Sequence, residues 1–506
     1  MADYEIPEIS VPIEIPTLKR GAMQHSSPFP AAAVHQEALG FPGELVDDWH
    51  DKAIDKFGEL LGRSRALQVY MDSCVKCGAC TDKCHYFLGT GDPKNMPVAR
   101  QDLMRKVYRR YFTWAGKIVP WLVGAKDLTK EVLDDWYTYF HQCSQCRRCS
   151  VYCPYGIDTA EVSMAARDIM DHIGKGQKYC NEIIGKVHKI GNNLGLPEPA
   201  LINTLEGLEE DIEEETGVKV RLPVNEKGAD ILLVTPSADF FAEPHVDGLI
   251  GYAKVFHQAG ASWTVSSYAS EAANFAMFIG SYEQMQQVAE RIRKAAEDLG
   301  VKRIIFGECG HAWRVAYNFM NTLAGPFDFL DQNYPIPQHI CEYTNDLIEK
   351  GELTLDKSAN DHMTLTFHDS CNVARGSRMG DSPGGQFTIP RAIIKACCNN
   401  FYDMAEDTIK EATFCCGGGG GLLTDDLMEI RAKGASPRMQ ALQEAVEAHG
   451  VTHMAAICAI CKSQFAKVMP AYGFDMDNIV SLHQLVSNAI VLDGQISNDD
   501  ATSNED

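Results

Sequence analysis

The chain has 506 residues, 45% apolar and 23% charged, which is long enough for three or four domains with ordinary hydrophobic cores. A formal net charge of −23 argues against a nucleic-acid partner, and no run of about 18 apolar residues offers a membrane span. Eighteen cysteines behind an N-terminus with no basic or apolar leader imply a reducing compartment, where cysteine serves metal or redox chemistry rather than disulfides.

Residues 1–50 carry Ile6-Pro7, Val11-Pro12, Ile15-Pro16 and Phe29-Pro30. Proline disfavours helix in the residue before it, so an extended arm that wraps a neighbour is expected. Helical periodicity from Asp51 into Tyr70 opens a module expected at residues 51–185. Two cysteine sets lie in it, Cys74, Cys77, Cys80 and Cys84, then Cys143, Cys146, Cys149 and Cys153. Both have CxxCxxCxxxC spacing, and Pro154 closes the second as in bacterial ferredoxins. In that arrangement the fourth cysteine of each set serves the other cluster. Cys74, Cys77, Cys80 and Cys153 are therefore expected to hold one [4Fe-4S] cubane, and Cys143, Cys146, Cys149 and Cys84 the other. Such crossing sets two one-electron carriers side by side. His85 replaces the usual proline after the first set, which should loosen that turn without removing a ligand.

Residues 51–150 hold 17 Lys and Arg against 11 Asp and Glu. Arg105, Lys106, Arg109 and Arg110 lie near Tyr111, Trp114 and Trp121, so the segment 105–125 reads either as a solvated basic face or as a docking surface for a partner subunit or membrane. Residues 186–227 are expected to be an acidic linker, because seven of the ten residues 206–215 are acidic, with no apolar periodicity. Cys180, just before it, is read as structural.

An α/β pattern follows in two rounds, 228–350 and 351–490. In the first, the strand-like run Ala229 to Thr235 and helical segments lead to Arg303–Gly307 and then Cys309-Gly-His311-Ala312. In the second, Thr364–Phe367 leads to Cys371, and His453–Ile457 leads to Cys458-Ala-Ile-Cys461. The repetition is expected to be a duplication. The second round, 351–490, carries five cysteines: Cys371, the adjacent pair Cys415 and Cys416 before the run Gly417–Gly421, then Cys458 and Cys461. Soft thiolates on separate loops, with glycines where the backbone must approach something bulky, suit an inorganic cluster better than a tetrahedral zinc, although zinc stays open as an alternative. No Lys-Ser or Lys-Thr follows the glycines, so they are not a phosphate loop. The first round has Cys309 where the second has Cys458-Ala-Ile-Cys461, and it is expected to serve as scaffold and lid. His311 is read as a packed histidine, with a role for it and Cys309 on substrate as the alternative. Cys341 is read as either structural or a lid residue, Cys397 and Cys398 as structural, Lys462 and Arg375 as cations that either stabilise a thiolate or merely face solvent, and 491–506 as a disordered acidic tail.

The five-cysteine pattern resembles the CCG domain of heterodisulfide reductase catalytic subunits, and the 58 residues between Cys84 and Cys143 resemble the α-helical ferredoxin domain of that family. The order of the modules is similar to the heterodisulfide reductase D subunit. The phrase Cys77-Gly-Ala-Cys80-Thr-Asp-Lys-Cys84-His-Tyr-Phe and the single intact site look like the DsrK family of the Dsr membrane complex. The resemblance implies an α-helical ferredoxin domain followed by a duplicated α/β CCG domain, with two cubane [4Fe-4S] clusters. A non-cubane [4Fe-4S] cluster on Cys371, Cys415, Cys416, Cys458 and Cys461 would be the catalytic centre. It also implies a peripheral subunit on the cytoplasmic side of the cell membrane. There it would exchange electrons between the quinone pool, through a haem b membrane subunit and other Dsr subunits, and a disulfide or trisulfide on the sulfur carrier DsrC. A small-thiol heterodisulfide reductase and a pure relay beside a flavoprotein are the alternatives.

Overall fold

The computed structural model describes residues 44–495. The proline-rich arm, up to residue 43, and the tail from residue 496 lie outside them. The first module is helical: α1 (Trp49–Arg63), α2 (Arg65–Ser73), α3 (His85–Thr90), α4 (Pro97–Phe112), α5 (Trp114–Ile118), α6 (Lys130–His141) and α7 (Thr159–His172). Phe57, Met104, Val107, Trp136, Phe140, Val162 and Ile169 form its core. Leu422, Leu427 and Ile430, from just beyond the glycine run, complete that core. The ferredoxin-like module and the last α/β round are therefore one packed unit.

The expected acidic linker is a correction. Residues 178–190 form α8 (Lys178–Ile190), and the acidic run lies in the 19-residue α9 (Glu198–Thr216). Leu201, Leu205, Ile212 and Thr216 are buried, and Leu208 packs against the same core. The apolar stripe is thin, three- and four-residue spacings diluted by glutamates on the solvent side, so composition hid a periodicity that is present.

Two parallel sheets follow. The first has strand order β2-β1-β3-β4, with β1 at Ile231–Val234, β2 at Trp263–Val265, β3 at Arg303–Phe306 and β4 at Gln338–His339. The second has order β5-β6-β7, with β5 at Leu365–His368, β6 at His453–Ala456 and β7 at Ile479–Ser481. A parallel bridge from Leu365 to Phe401 stands where β2 stands beside β1. The connecting helices are α10 (His245–Gln258), α11 (Asn274–Phe278), α12 (Tyr282–Leu299), α13 (Gly310–Val315), α14 (Ile340–Lys350), α15 (Cys371–Ala374), α16 (Gly385–Cys397), α17 (Met428–His449), α18 (Ala459–Val468) and α19 (Leu482–Ala489). In both sheets the inner pair of strands, β1/β3 and β5/β6, aligns residue for residue over four positions. Chain segments that carry Ser237, Cys309, Cys371 and Cys458 leave the carboxyl ends of these strands, where open α/β sheets place their sites.

One buried side chain ties the parts together. Arg167, on α7, donates through Nε to Phe140 O (3.0 Å) and through Nη2 to Phe140 O (2.7 Å), His141 O (3.3 Å) and Cys143 O (2.6 Å). Its Nη1 donates to Phe278 O (2.6 Å) in the first sheet's unit and to Gly420 O (3.0 Å) in the second. Burial lowers its pKa to about 10, so it stays charged at neutral pH. Arg167→Met should strand these carbonyls and lower stability by at least about 3 kcal/mol. Lysine should rescue little, because a single ammonium cannot span the same acceptors. The midpoint of denaturation of anaerobically purified protein reads both outcomes.

Candidate metal centre

The first cysteine set and the last cysteine of the second meet at one recess. Cys74, Cys77, Cys80 and Cys153 line this recess, and Cys149 lines it with them. Gly78, at φ +80°, lets the chain turn tightly between Cys77 and Cys80. Cys143 and Cys84 both lie within electrostatic reach of Cys149, and Cys149 within that of Cys146. Cys149, from the second set, lines that recess too, so thiols of both sets lie close together.

The five cysteines of the α/β round converge as well. Asp369 positions Cys371: its Oδ1 and Oδ2 accept Nη1 and Nη2 of Arg391 at 2.8 Å each, and Oδ2 accepts Lys410 N at 2.8 Å. Thr413 Oγ1 donates to Asp369 O at 2.9 Å, which clamps the loop entering Cys415 and Cys416 onto the loop of Cys371. The thiol of Cys415 contacts those of Cys146, Cys371 and Cys416, Cys416 contacts Cys461, and Cys461 contacts Cys458. Each of the five is at most 2% exposed. Cys146 makes the second ferredoxin-like set continuous with this array, a junction that spacing could not show. Cys341, Cys397 and Cys398 are buried in the α/β core and Cys180 bonds Gln177 Oε1 at 3.0 Å; none of them has a thiol contact with the array among the described residues.

The glycine run is where the two modules abut. A Cβ on Gly420, at φ +73°, would stand 2.8 Å from Cys143 O, and one on Gly419 would stand 3.2 Å from both Ser144 O and His311 Nε2. What the backbone must approach is the loop of the second cysteine set. His85 corrects the expectation of a loosened turn. Buried, it bonds Ser144 Oγ through Nε2 (2.7 Å) and Gly434 O through Nδ1 (2.8 Å), pinning the first set to α17.

Buried cations surround the thiols. Arg100, Arg167, Arg314, Arg431 and Arg438 are all below 2% exposed. Arg100 and Arg167 face Cys143, Arg314 faces Cys371, Arg431 faces Cys416 and Arg438 faces Cys461. Arg100, Arg167 and Arg438 have no carboxylate within ion-pairing distance among the described residues, although buried charge demands a partner. Thirteen converging thiols flanked by unneutralised guanidiniums fit anionic thiolate-held iron-sulfur clusters, which would supply the missing negative charge. Pattern reading misses these arginines because nothing local distinguishes a buried arginine from a surface one.

Lys462 does not face solvent: it is fully buried. Its Nζ bonds Glu308 Oε2 (3.0 Å) and Ser481 Oγ (2.6 Å), and Glu308 Oε1 accepts His483 N (2.8 Å) and pairs with His483 Nδ1 (2.7 Å). Burial raises the Glu308 carboxyl, but Lys462 and then His483 outweigh it and hold the group down at about 2. Burial likewise lowers Lys462, and Glu308 and Asp239 more than offset it. Arg375 is a strut, donating to Cys146 O (2.6 Å), Glu411 O (2.8 Å) and Thr413 O (2.9 Å), with Nη2 left unpartnered.

Residues 70–157 match the family model of the 4Fe-4S dicluster domain. The chain is 41% identical over 493 residues to the Hdr-like menaquinol oxidoreductase iron-sulfur subunit of Archaeoglobus profundus, covering 92% of this chain and 87% of that one. It is 40% identical to the Hdr-like menaquinol oxidoreductase iron-sulfur subunit 2 of Archaeoglobus fulgidus, over 89% and 85%. It is 22% identical to the dihydromethanophenazine:CoB–CoM heterodisulfide reductase D subunit of Methanosarcina barkeri, over 69% and 78%. No solved structure matches the chain.

Removing Lys462 tests the buried triad. Lys462→Met should cost about 3–5 kcal/mol at neutral pH, because Glu308 would remain buried without its cation. The sign follows from a depressed carboxyl. In the unmodified chain this contribution is complete above the group's ordinary value of 4.5 and drains as pH falls toward about 2. The variant's stability should therefore change less with pH over that window, as acid titration of the unfolding midpoint would show.

Proposed function

Because this chain belongs to the family of Hdr-like menaquinol oxidoreductase iron-sulfur subunits, we propose that it carries electrons between a menaquinol-linked membrane partner and a disulfide bound at the five-cysteine centre. The observation that carries this reading is the continuous thiol path. It runs from the recess of Cys74, Cys77, Cys80 and Cys153, through Cys84, Cys143, Cys149 and Cys146, to Cys415, Cys371, Cys416, Cys461 and Cys458. The first two groups are assigned as crossed ligands of two cubane [4Fe-4S] clusters, and the last five as ligands of a non-cubane one. When bound, the clusters would supply single electrons that together meet the two-electron demand of an S–S bond. The two α/β rounds are assigned as duplicated CCG halves, on the strength of their matching strand orders and elbows.

The chain's own residues set the conditions. Burial of the five thiols excludes water, which strengthens every interaction with the surrounding guanidiniums. The array reaches the surface at Cys146, Phe414 and Arg375, all partly exposed, and there Arg148 covers the Phe414 ring at 3.8 Å. We assign this edge as the approach for the disulfide, with the partly exposed Arg375 supplying a cation beside it. The partner assigned is the C-terminal arm of a DsrC-type sulfur carrier. A small heterodisulfide is the second reading, favoured by the similarity to the heterodisulfide reductase D subunit.

No helix among the described residues is long and apolar enough to cross a membrane. The basic, aromatic segment instead offers an attachment. Arg109 and Arg110 are tied to Val123 O (2.9 Å) and Asp127 Oδ1 (2.6 Å), and the turn they brace leaves Trp114, Trp121 and Leu122 at 79%, 80% and 67% exposure. We assign this turn to the haem b membrane subunit or its surrounding lipid, at the cytoplasmic face of the membrane.

Cys415 touches Cys146, so Cys461→Ala is the cleaner test of the centre. Iron should fall from about twelve to about eight per chain, with both cubane signals kept and disulfide turnover lost. Unchanged iron and turnover would overturn the reading. Assaying the carrier arm and a small heterodisulfide in parallel separates the two substrates. Replacing Trp114 and Trp121 together by alanine should release the subunit from membranes into the wash while leaving its iron content intact, and retention would move the attachment elsewhere.

A further inference from the structure

The first α/β round does more than brace the second. Its strand β3 ends in an elbow, Glu308-Cys309-Gly310-His311, that faces the corresponding elbow of β6, with Ala459 N donating to Glu308 O at 2.9 Å. The contact sets the Cys309 thiol against the Cys458 thiol and His311 Nδ1 at 3.5 Å from Cys458 Sγ. Donor atoms of Cys309, His311 and Cys458 all lie within 4.8 Å of one another, and the three residues are at most 2% exposed.

Packing alone does not account for this histidine. Its Nδ1 has only the sulfur contact, its Nε2 has no hydrogen-bond partner among the described residues, and the ring edge rests on Phe278 at 5.0 Å. A buried imidazole is normally satisfied by oxygen or nitrogen, as His85 is. Cys309 caps α13 by accepting Ala312 N at 3.4 Å, a weak role that needs no histidine beside it. Metal geometry suits the spacing. A tetrahedral ion about 2.0–2.1 Å from an imidazole nitrogen and about 2.3 Å from a thiolate holds the two donors about 3.5 Å apart.

We propose that Cys309 and His311 are metal ligands: with Cys458 they form a Cys2His site for one soft divalent ion, iron or zinc, whose fourth position is open to an external sulfur ligand. The inference rests on the reading of Cys458 as a ligand of the five-cysteine cluster. The thiolate of Cys458 then belongs to both donor sets, and the ion is either an edge iron of that cluster or a separate ion bridged to it. A soft thiolate pair with one imidazole suits iron and zinc alike, so the donors leave that choice to experiment.

The test uses the full chain purified anaerobically, with His311→Gln, Cys309→Ser and Cys461→Ala. Two readouts are needed: iron and zinc per chain, and electron-nuclear double resonance on the oxidised protein labelled with 15N-histidine. A nitrogen coupling present in the wild-type chain and lost in His311→Gln makes the ion an iron of the cluster. One additional iron or zinc per chain, beyond the cluster iron and lost in both the His311 and Cys309 variants, makes it a separate ion. Equal metal content in wild type and both variants, with no nitrogen coupling, overturns the proposal. Cubane signals retained in each variant show that it has folded. Cys461→Ala keeps the two failures apart, because loss of the five-cysteine cluster there upholds the functional reading whatever His311 does.

Discussion

The guanidinium of Arg167 stands at the point where three parts of the chain meet. It takes up carbonyls from the end of α6, from the loop into Cys143, from α11 of the first sheet's unit and from the glycine run of the second. Carbonyls at helix ends and in irregular loops are costly to bury unpaired, and a planar cation with five N–H groups can satisfy several at once where no regular ladder is available. The closeness of Gly420 to Cys143 follows from this clamp, and that closeness puts Cys146 beside Cys415. The separation between the two groups of thiols is one that this single side chain helps to set.

Charge explains why so many arginines are inside an acidic protein. Net charge of −23 resides at the surface, while the thiol array is walled by buried cations that mostly lack carboxylates of their own. In a low-dielectric interior an unpaired guanidinium is costly, and so is an unpaired anionic cluster. Each is tolerable only in the other's presence, so cluster assembly and completion of the fold should be coupled. Lys462 differs in having its own buried carboxylate, Glu308, which His483 also bonds. It joins the two α/β rounds next to Cys461 in the chain and holds the elbows of β3 and β6 together.

The two α/β rounds show how one architecture serves unequal roles. Both present strand-to-helix elbows at the carboxyl ends of paired inner strands, and in both the outer strand leads into a helix, α14 after β4 and α19 after β7. The second round sends five cysteines to its elbows and loops. Ser237 occupies the first elbow of the other round, hydrogen-bonded to buried Glu271 at 2.7 Å, and only Cys309 remains at its second. Because the elbows face each other, Cys309 and His311 of the first round touch Cys458 of the second.

Spacing alone determined a good deal. Ligands a few residues apart on one loop move as a unit, so CxxCxxCxxxC specifies a cluster site wherever it folds, and the match to a 4Fe-4S dicluster domain falls on those residues. The parallel α/β pattern was equally legible, because buried strands of β-branched and aliphatic residues bounded by glycine are a local signal. The acidic helix α9 was not, since its apolar stripe is sparse and its glutamates dominate any composition count. Only the tertiary structure decided that Cys146 meets Cys415, that Lys462 is buried on Glu308, and that Cys309 and His311 join Cys458. Those contacts link residues 147 to 269 positions apart, and no local preference encodes a meeting that depends on how whole modules pack.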